Sequence, residues 1–274
     1  MSPHTARPVN TSSGPTGYSL PLSPSGRSSM ITPPPWHFSG DVIMVDYRVD
    51  PDAVRAFLPP GLTLGPNPGA AAAVFADWQW CSDSGAELST PERSQFKEFL
   101  LLLECAHEGR TMVRCPYAWV DQPVPMARGW VQGMPKQLGT IYQTRALPVG
   151  RAGTRKGTGE RFHGSLSVFG ERVARAEVAC VEEVAELPSL HAVPLAHTRI
   201  FPPWLSDERP LEQLVASEVT DIETSRIWAG PADLELWREG LDADFGTLTP
   251  VEVGRGYVFS YAETLRGGRL LGGR

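Results

Sequence analysis

Five consecutive apolar residues, Phe99-Leu100-Leu101-Leu102-Leu103, constrain this chain more than any other stretch. They lie within Phe96–Ala106, which reads as a hairpin with Arg110–Trp119, turning at Glu108-Gly109. A strand places successive side chains on opposite faces, so a strand apolar at every position has to be covered on both sides. The fold therefore needs a sheet with packed structure on each face, and this strand belongs near its centre. A membrane span is not the alternative. The longest apolar runs, Ala70–Ala76 and Phe99–Leu103, are too short to cross a bilayer.

The rest of the chain supplies matching pieces. Val42–Arg48 and Ala71–Trp80 read as strands, the second alternating Val74, Ala76, Trp78 and Trp80 with Phe75, Asp77 and Gln79. Between them, Asp50 as N-cap and Pro51 at the first helical position open a short helix, which Pro59-Pro60-Gly61 ends. Ser82–Arg93 reads as a polar loop. Met126–Met134, Thr140–Ala146, Phe162–Phe169, Glu171–Glu182, Val215–Ile227, Gly256–Thr264 and Arg269–Leu271 are further strand candidates. Pro231–Leu241 reads as a second short helix. Many strands, two short helices and no βαβ rhythm exclude a doubly wound parallel sheet. They predict a mainly β domain: a closed antiparallel barrel or two packed sheets, with short helices outside.

Residues 30–274 are expected to form that single domain, preceded by a flexible tail over residues 1–29 rich in Ser, Pro and Gly. The tail has no apolar segment of the kind a secretory signal carries, so a cytoplasmic location is expected. A net charge of −6 argues against nucleic acid or an anionic membrane as partner. Cys81, Cys105, Cys115 and Cys180 form no CxxC pair and read as buried thiols. The Gly-rich Val149–Arg161 lacks the ending of a phosphate loop and reads as a flexible connection.

No nucleophile elbow, His-Glu-x-x-His helix or dinucleotide fingerprint is present, and the six histidines read as surface or structural residues. No metal or other cofactor is expected. What remains is Lys136, within Gly129-Trp130-Val131-Gln132-Gly133-Met134-Pro135-Lys136-Gln137-Leu138-Gly139. A lysine attacks a carbonyl only as the neutral amine, and a free lysine holds its proton up to pH ~10.4. Apolar surroundings and distance from carboxylates favour the neutral form. The sequence offers Trp130, Val131, Met134 and Leu138, and no acid from Met126 to Ala146. From these residues alone, Lys136 is either a Schiff-base nucleophile or an ordinary lysine at a strand end.

Met134-Pro135-Lys136-Gln137-Leu138-Gly139 resembles the Pro-Lys-Lys-Leu segment of acetoacetate decarboxylases, whose first lysine forms the imine with substrate. Tyr47-Arg48-Val49-Asp50, Phe96-Lys97-Glu98 and Trp228-Ala229-Gly230-Pro231 are similar to further segments of that family, in the same order. The likeness runs from Trp36 to Leu271. It implies a cone-like antiparallel β-barrel with peripheral helices and an internal pocket. It also implies a carbon–carbon lyase with Lys136 as nucleophile and Glu98 as proton shuttle. Glu98 shares an otherwise apolar face with Phe96, Leu100 and Leu102.

Departures from the family shift the expected reaction. The second lysine is Gln137, the arginine before the first strand falls near Gly40, and a pocket glutamate falls at Ala76 beside Asp77. Gln132 stands four residues before the lysine. This pattern resembles a divergent branch that condenses pyruvate with aldehydes and dehydrates the product. The resemblance then implies a role for Gln132 in holding substrate and for Tyr261 in proton delivery. Tyr257, Trp130, Met134 and Arg128 are expected around the substrate, with Arg128, Trp130 and Gln132 on one face of an extended segment. The alternatives are a β-keto acid decarboxylase and a barrel that only binds an apolar ligand. A homo-oligomer acting on a small carbonyl or keto-acid substrate is expected.

Overall fold

The structure is a computed structural model that describes residues 14–237 and 241–271. The described residues fall into two units, divided between Pro33 and Pro34. In the first, Thr16 and Ser23 bridge across a turn, and Ser19 bonds both the N–H and the carbonyl of Ile31 through its hydroxyl. The bonded turns over residues 16–31 are more structure than a Ser/Pro/Gly composition suggests.

The second unit is built of strands. In chain order they are β1 (Trp36–Arg48), β2 (Thr63–Leu64), β3 (Ala70–Ser82), β4 (Gln95–His107), β5 (Arg110–Arg114), β6 (Ala118–Val120), β7 (Lys136–Leu138) and β8 (Thr140–Gln143). There follow β9 (Arg161–Val168), β10 (Glu171–Ala179), β11 (Glu182–Val184), β12 (Leu195–Phe201), β13 (Leu211–Thr224), β14 (Ile227–Leu236) and β15 (Glu252–Leu270). Helices are short: α1 (Pro51–Ala56), α2 (Pro91–Ser94), α3 (Pro123–Gln132) and α4 (Ala243–Gly246). Asp50 caps α1 by accepting from the Asp52 N–H.

Strands β1, β3, β4, β5, β12, β13 and β15 follow one another by hydrogen bonding, and β15 pairs back to β1 along twelve residue pairs, from Trp36↔Leu265 to Arg48↔Glu252. This closes a barrel, which leaves no exposed edge among those strands. From β15 the hydrogen bonding continues through β14, β10 and β9 to β8, and this flank packs on the outer wall of the barrel. Two cores result. Ile43, Phe75, Phe99, Leu101 and Leu103 face outward into the layer that includes Phe162, Leu166 and Val178. Val42, Met44, Val74, Ala76, Leu100 and Leu102 face the barrel interior. The strand apolar at every position therefore lies between two packed layers, as its sequence requires.

Three expectations change. Met126–Met134 is not a strand: Pro123–Gln132 is helix α3, and the buried Val124, Pro125, Arg128 and Gly129 mark a helical stripe. Pro123 and Pro125 lie in the first turn, where a missing N–H is harmless. Over so short a segment, period 2 and period 3.6 fit the same side chains. Conversely, the expected helix at Pro231–Leu241 is strand β14 as far as Leu236, and residues 238–240 lie outside the described residues. Its Leu234 and Leu236 alternate with exposed Asp233 and Glu235 against β10. The two expected C-terminal strands are one, the long β15, and β12 was not anticipated.

Candidate active site

Helix α3 ends where the chemistry begins. Gly133 adopts φ 93°, its N–H bonds the Trp130 carbonyl, and the Met134 N–H bonds the Gly129 carbonyl. This left-handed ending requires glycine. Pro135 follows, and the chain then enters β7, where Lys136 lies opposite Ala118 of β6 in parallel register. The lysine stem runs back over α3 at Gly129, where an added Cβ would stand 2.7 Å from Lys136 Cγ. Glycine at 129 is thus the space the lysine occupies.

Lys136 is 5% exposed and points into a cavity of about 540 Å³ inside the barrel. Its Nζ lies 2.7 Å from Glu98 Oε1, an ion pair not aligned as a hydrogen bond. Trp78 Nε1–H donates to the other carboxylate oxygen at 3.0 Å. The lysine's neighbours in sequence carry no acid, but β4 brings Glu98 into contact with it. The contact is short enough for a proton to pass from Nζ to the carboxylate.

Arg128, expected around the substrate, has an unusual setting. It is fully buried and lines the cavity. None of its three guanidinium nitrogens has a hydrogen-bond partner among the described residues. Rings surround it instead, with centroids at 4.4 Å (Trp80), 4.7 Å (Phe38) and 5.5 Å (Trp36 and Phe96). Burial pushes its pKa down from 12.5 to about 9, against the pull of Glu98 and Glu87. A planar cation with unused donors suits a bidentate carboxylate. The arginine missing near Gly40 is thus matched by one delivered from α3. At Gly40, by contrast, a side chain would collide with the Asp77 carbonyl and Trp78.

On the opposite wall, Tyr261 donates to Glu263 Oε2 at 3.0 Å, and both line the cavity. Burial raises the Glu263 pKa, with the tyrosine bond opposing, and it raises that of Tyr261 as well. His191 packs edge-on against Tyr261, with ring centroids 4.4 Å apart, and burial pushes its pKa down to about 4. Glu263 and His191 were missed in sequence. Glu263 continues the alternation Tyr257-Phe259-Tyr261, and a glutamate ending an aromatic face was a usable signal. Nothing in the sequence marked His191, which reaches the cavity from the loop before β12.

Of the residues expected at the site, Lys136, Glu98, Gln132, Tyr261, Met134 and Arg128 line the cavity. Arg128 and Gln132 do so one helical turn apart, not along a strand. Trp130 does not: it is 55% exposed, and its Nε1–H donates to the Lys136 carbonyl at 2.8 Å. Tyr257 does not either, since its hydroxyl bonds Asp46. Ala76 lines the cavity, but the neighbouring Asp77 pairs with Arg145 at 3.3 Å. Among the described residues no cluster of His, Cys, Asp or Glu is arranged to hold a metal.

Residues 19–273 match the family model described as acetoacetate decarboxylase (ADC). A search of curated proteins gives no match. Among solved structures, the chain is similar to the enduracididine biosynthesis enzyme MppR complexed with the condensation product of pyruvate and imidazole 4-carboxaldehyde. The identity is 64%, the TM-score 0.92, and the match covers 95% of this chain and 98% of that one. MppR complexed with pyruvate matches at 64% identity and TM-score 0.90, over 94% of this chain and 98% of that one. An acetoacetate decarboxylase-like enzyme from Sphingomonas wittichii RW1 matches at 25% identity and TM-score 0.84, over 94% of this chain and all of that one. A barrel of this topology and the match along nearly its whole length lead to one conclusion: the chain belongs to the acetoacetate decarboxylase family, on the side of that family where MppR lies.

Proposed function

We propose that this enzyme joins pyruvate to an aldehyde and dehydrates the product through an imine on Lys136. The observation that carries the reading is a buried lysine in contact with Glu98, sharing one cavity with an unpartnered guanidinium. MppR, which binds pyruvate and its condensation product, supports the substrate class. Glu98 takes a proton from the lysine, the free amine attacks the 2-oxo carbon, and Glu98 returns the proton as the carbinolamine hydroxyl leaves as water to give the imine. Arg128 grips the carboxylate, helped by Gln132. In a 2-oxo acid imine, losing CO2 would leave an unstabilised carbanion on the imine carbon, whereas losing a C3 proton gives an enamine. The C3 proton goes to Glu98 and the enamine attacks the aldehyde. Glu98, having returned its proton to the aldol oxygen, takes the second C3 proton while Tyr261, bonded to Glu263, delivers the proton with which the hydroxyl leaves as water, and hydrolysis of the imine frees the enone.

A second reading, decarboxylation of a β-keto acid, shares the imine and differs in which bond breaks. Borohydride trapping with pyruvate should add mass to the wild type and none to Lys136→Ala. Absence of any adduct would sink the imine. With pyruvate plus an aldehyde, a new enone absorbance without released CO2 supports condensation; CO2 from acetoacetate favours the second reading.

The catalytic domain is taken as residues 30–274, with residues 1–29 as an appendage. A cytoplasmic location is supported by four cysteines that form no disulfide. Among the described residues no helix is long and apolar enough to cross a membrane. A homo-oligomer is supported by exposed Ile200, Phe201, Trp204 and Leu205 around the end of β12.

A further inference from the structure

His197 and Ser217 form a polar pair that none of these steps uses. Strands β12 and β13 run antiparallel with Ala196 opposite Ala216, so His197 and Ser217 are diagonal neighbours on one face. Ser217 lines the cavity. His197 lies behind it, 1% exposed, with Nε2 at 2.8 Å from Ser217 Oγ. Its Nδ1 is buried and has no partner among the described residues.

A neutral imidazole carries one N–H and one lone pair. An orphaned buried N–H is rarer than an under-satisfied acceptor, so the lone pair belongs on Nδ1 and the proton on Nε2. Burial first, then the positive charges of Arg114 and Lys136, keep this imidazole neutral, with its pKa pushed down to about 3. His197 therefore donates to Ser217, and the serine's own proton is free to serve another acceptor. Ser217 makes no second side-chain hydrogen bond among the described residues. It is a committed donor facing the cavity, between the apolar Leu195 and Val219.

We propose that Ser217 is the hydrogen-bond donor for the aldehyde oxygen of the second substrate, and that His197 is the positioning residue that fixes the direction of its proton. The proposal rests on the condensation reading above. In that step the enamine C3 bonds to the aldehyde carbon while the nitrogen lone pair re-forms the iminium. The C=O π electrons move onto oxygen. The alkoxide so formed is stabilised by Ser217 and takes up the proton that Glu98 removed from C3. Charge grows on that oxygen only as the bond forms, which is where a fixed donor acts most.

The test separates adduct formation from condensation. Wild type, Ser217→Ala and Ser217→Thr are first trapped with pyruvate and borohydride, and all three are expected to trap equally. In a separate experiment without borohydride, each enzyme is loaded with pyruvate and mixed with imidazole-4-carboxaldehyde, and single-turnover consumption of the unreduced adduct is followed. Ser217→Ala should slow condensation tenfold to a hundredfold, and Ser217→Thr should stay within about threefold, as expected for one oriented donor. His197→Phe should match Ser217→Ala, and the double variant should lose no more than either single one. Condensation by Ser217→Ala at the wild-type rate overturns the proposal, as does a wild-type adduct that the aldehyde does not consume. Additive losses in the double variant overturn the role of His197. A wild type that traps no pyruvate instead removes the underlying reading.

Discussion

Replacing Arg128 with methionine should make the protein more stable and unable to hold its substrate. The guanidinium is fully buried, with no hydrogen-bond partner on any nitrogen among the described residues. A fall in pKa from 12.5 to about 9 corresponds to about 5 kcal/mol of disfavoured charge, at about 1.4 kcal/mol per tenfold. Because the shifted value still lies well above neutrality, that destabilisation is present in full at pH 7 and eases only as pH rises from about 9 towards 12.5. The surrounding rings return about 2–4 kcal/mol, at about 0.5–1 kcal/mol each for the four centroids within 5.5 Å. Methionine fills a similar volume without charge. The net gain for Arg128→Met is about 1–3 kcal/mol, or about 2–12 °C in Tm for a chain of this size. Pyruvate protection should disappear in the same variant, since a buried carboxylate loses its partner, with affinity falling about thirtyfold or more. Thermal denaturation of both proteins, with and without pyruvate, measures the two effects together. An Arg128→Met protein less stable than wild type, or one that pyruvate protects as well as before, would refute the reasoning.

Gly129→Ala should favour the helix by about 1 kcal/mol of propensity yet push Lys136 away from Glu98. The expected result is a folded protein whose rate of borohydride trapping falls at least tenfold; unchanged trapping would mean the stem has another path. Asp46 is a half-buried carboxyl whose pKa burial raises from 3.8 to about 6, with the Tyr257 bond opposing. Its folded value lies above its unfolded one, so stability falls as pH rises between those values. Asp46→Asn should therefore add up to about 2–3 kcal/mol at pH 7.5 and almost nothing at pH 4, as read by denaturant unfolding at both pH values. Equal effects at the two pH values would exclude the charge as the cause.

Local sequence settled what depends on alternation and on single capping residues. Phe99–Leu103 demanded a strand covered on both faces, and it lies between the two cores. Asp50 and Pro51 opened a helix where they were expected to. Glu98 was legible because one charge on an apolar strand face has few reasons to be there. Lys136 stood out through its neighbours, and the likeness to a known family gave it a meaning. The ten residues of α3 misled, because Arg128 and Gln132 share a face in either periodicity. Only the direction of the helix decides that the arginine enters the barrel while Trp130 stays outside. The contact between Lys136 and Glu98 was likewise out of reach. It joins β7 to β4 through the parallel pairing of β6 with β7, and no local pattern encodes that register. The same holds for Glu263, His191 and the His197–Ser217 pair, which three distant segments bring to one cavity. The sequence by itself determined that this chain is a β structure with a lysine set among apolar residues. Tertiary structure alone decided which charges surround that lysine, because charge acts across space and barrel closure sets those distances.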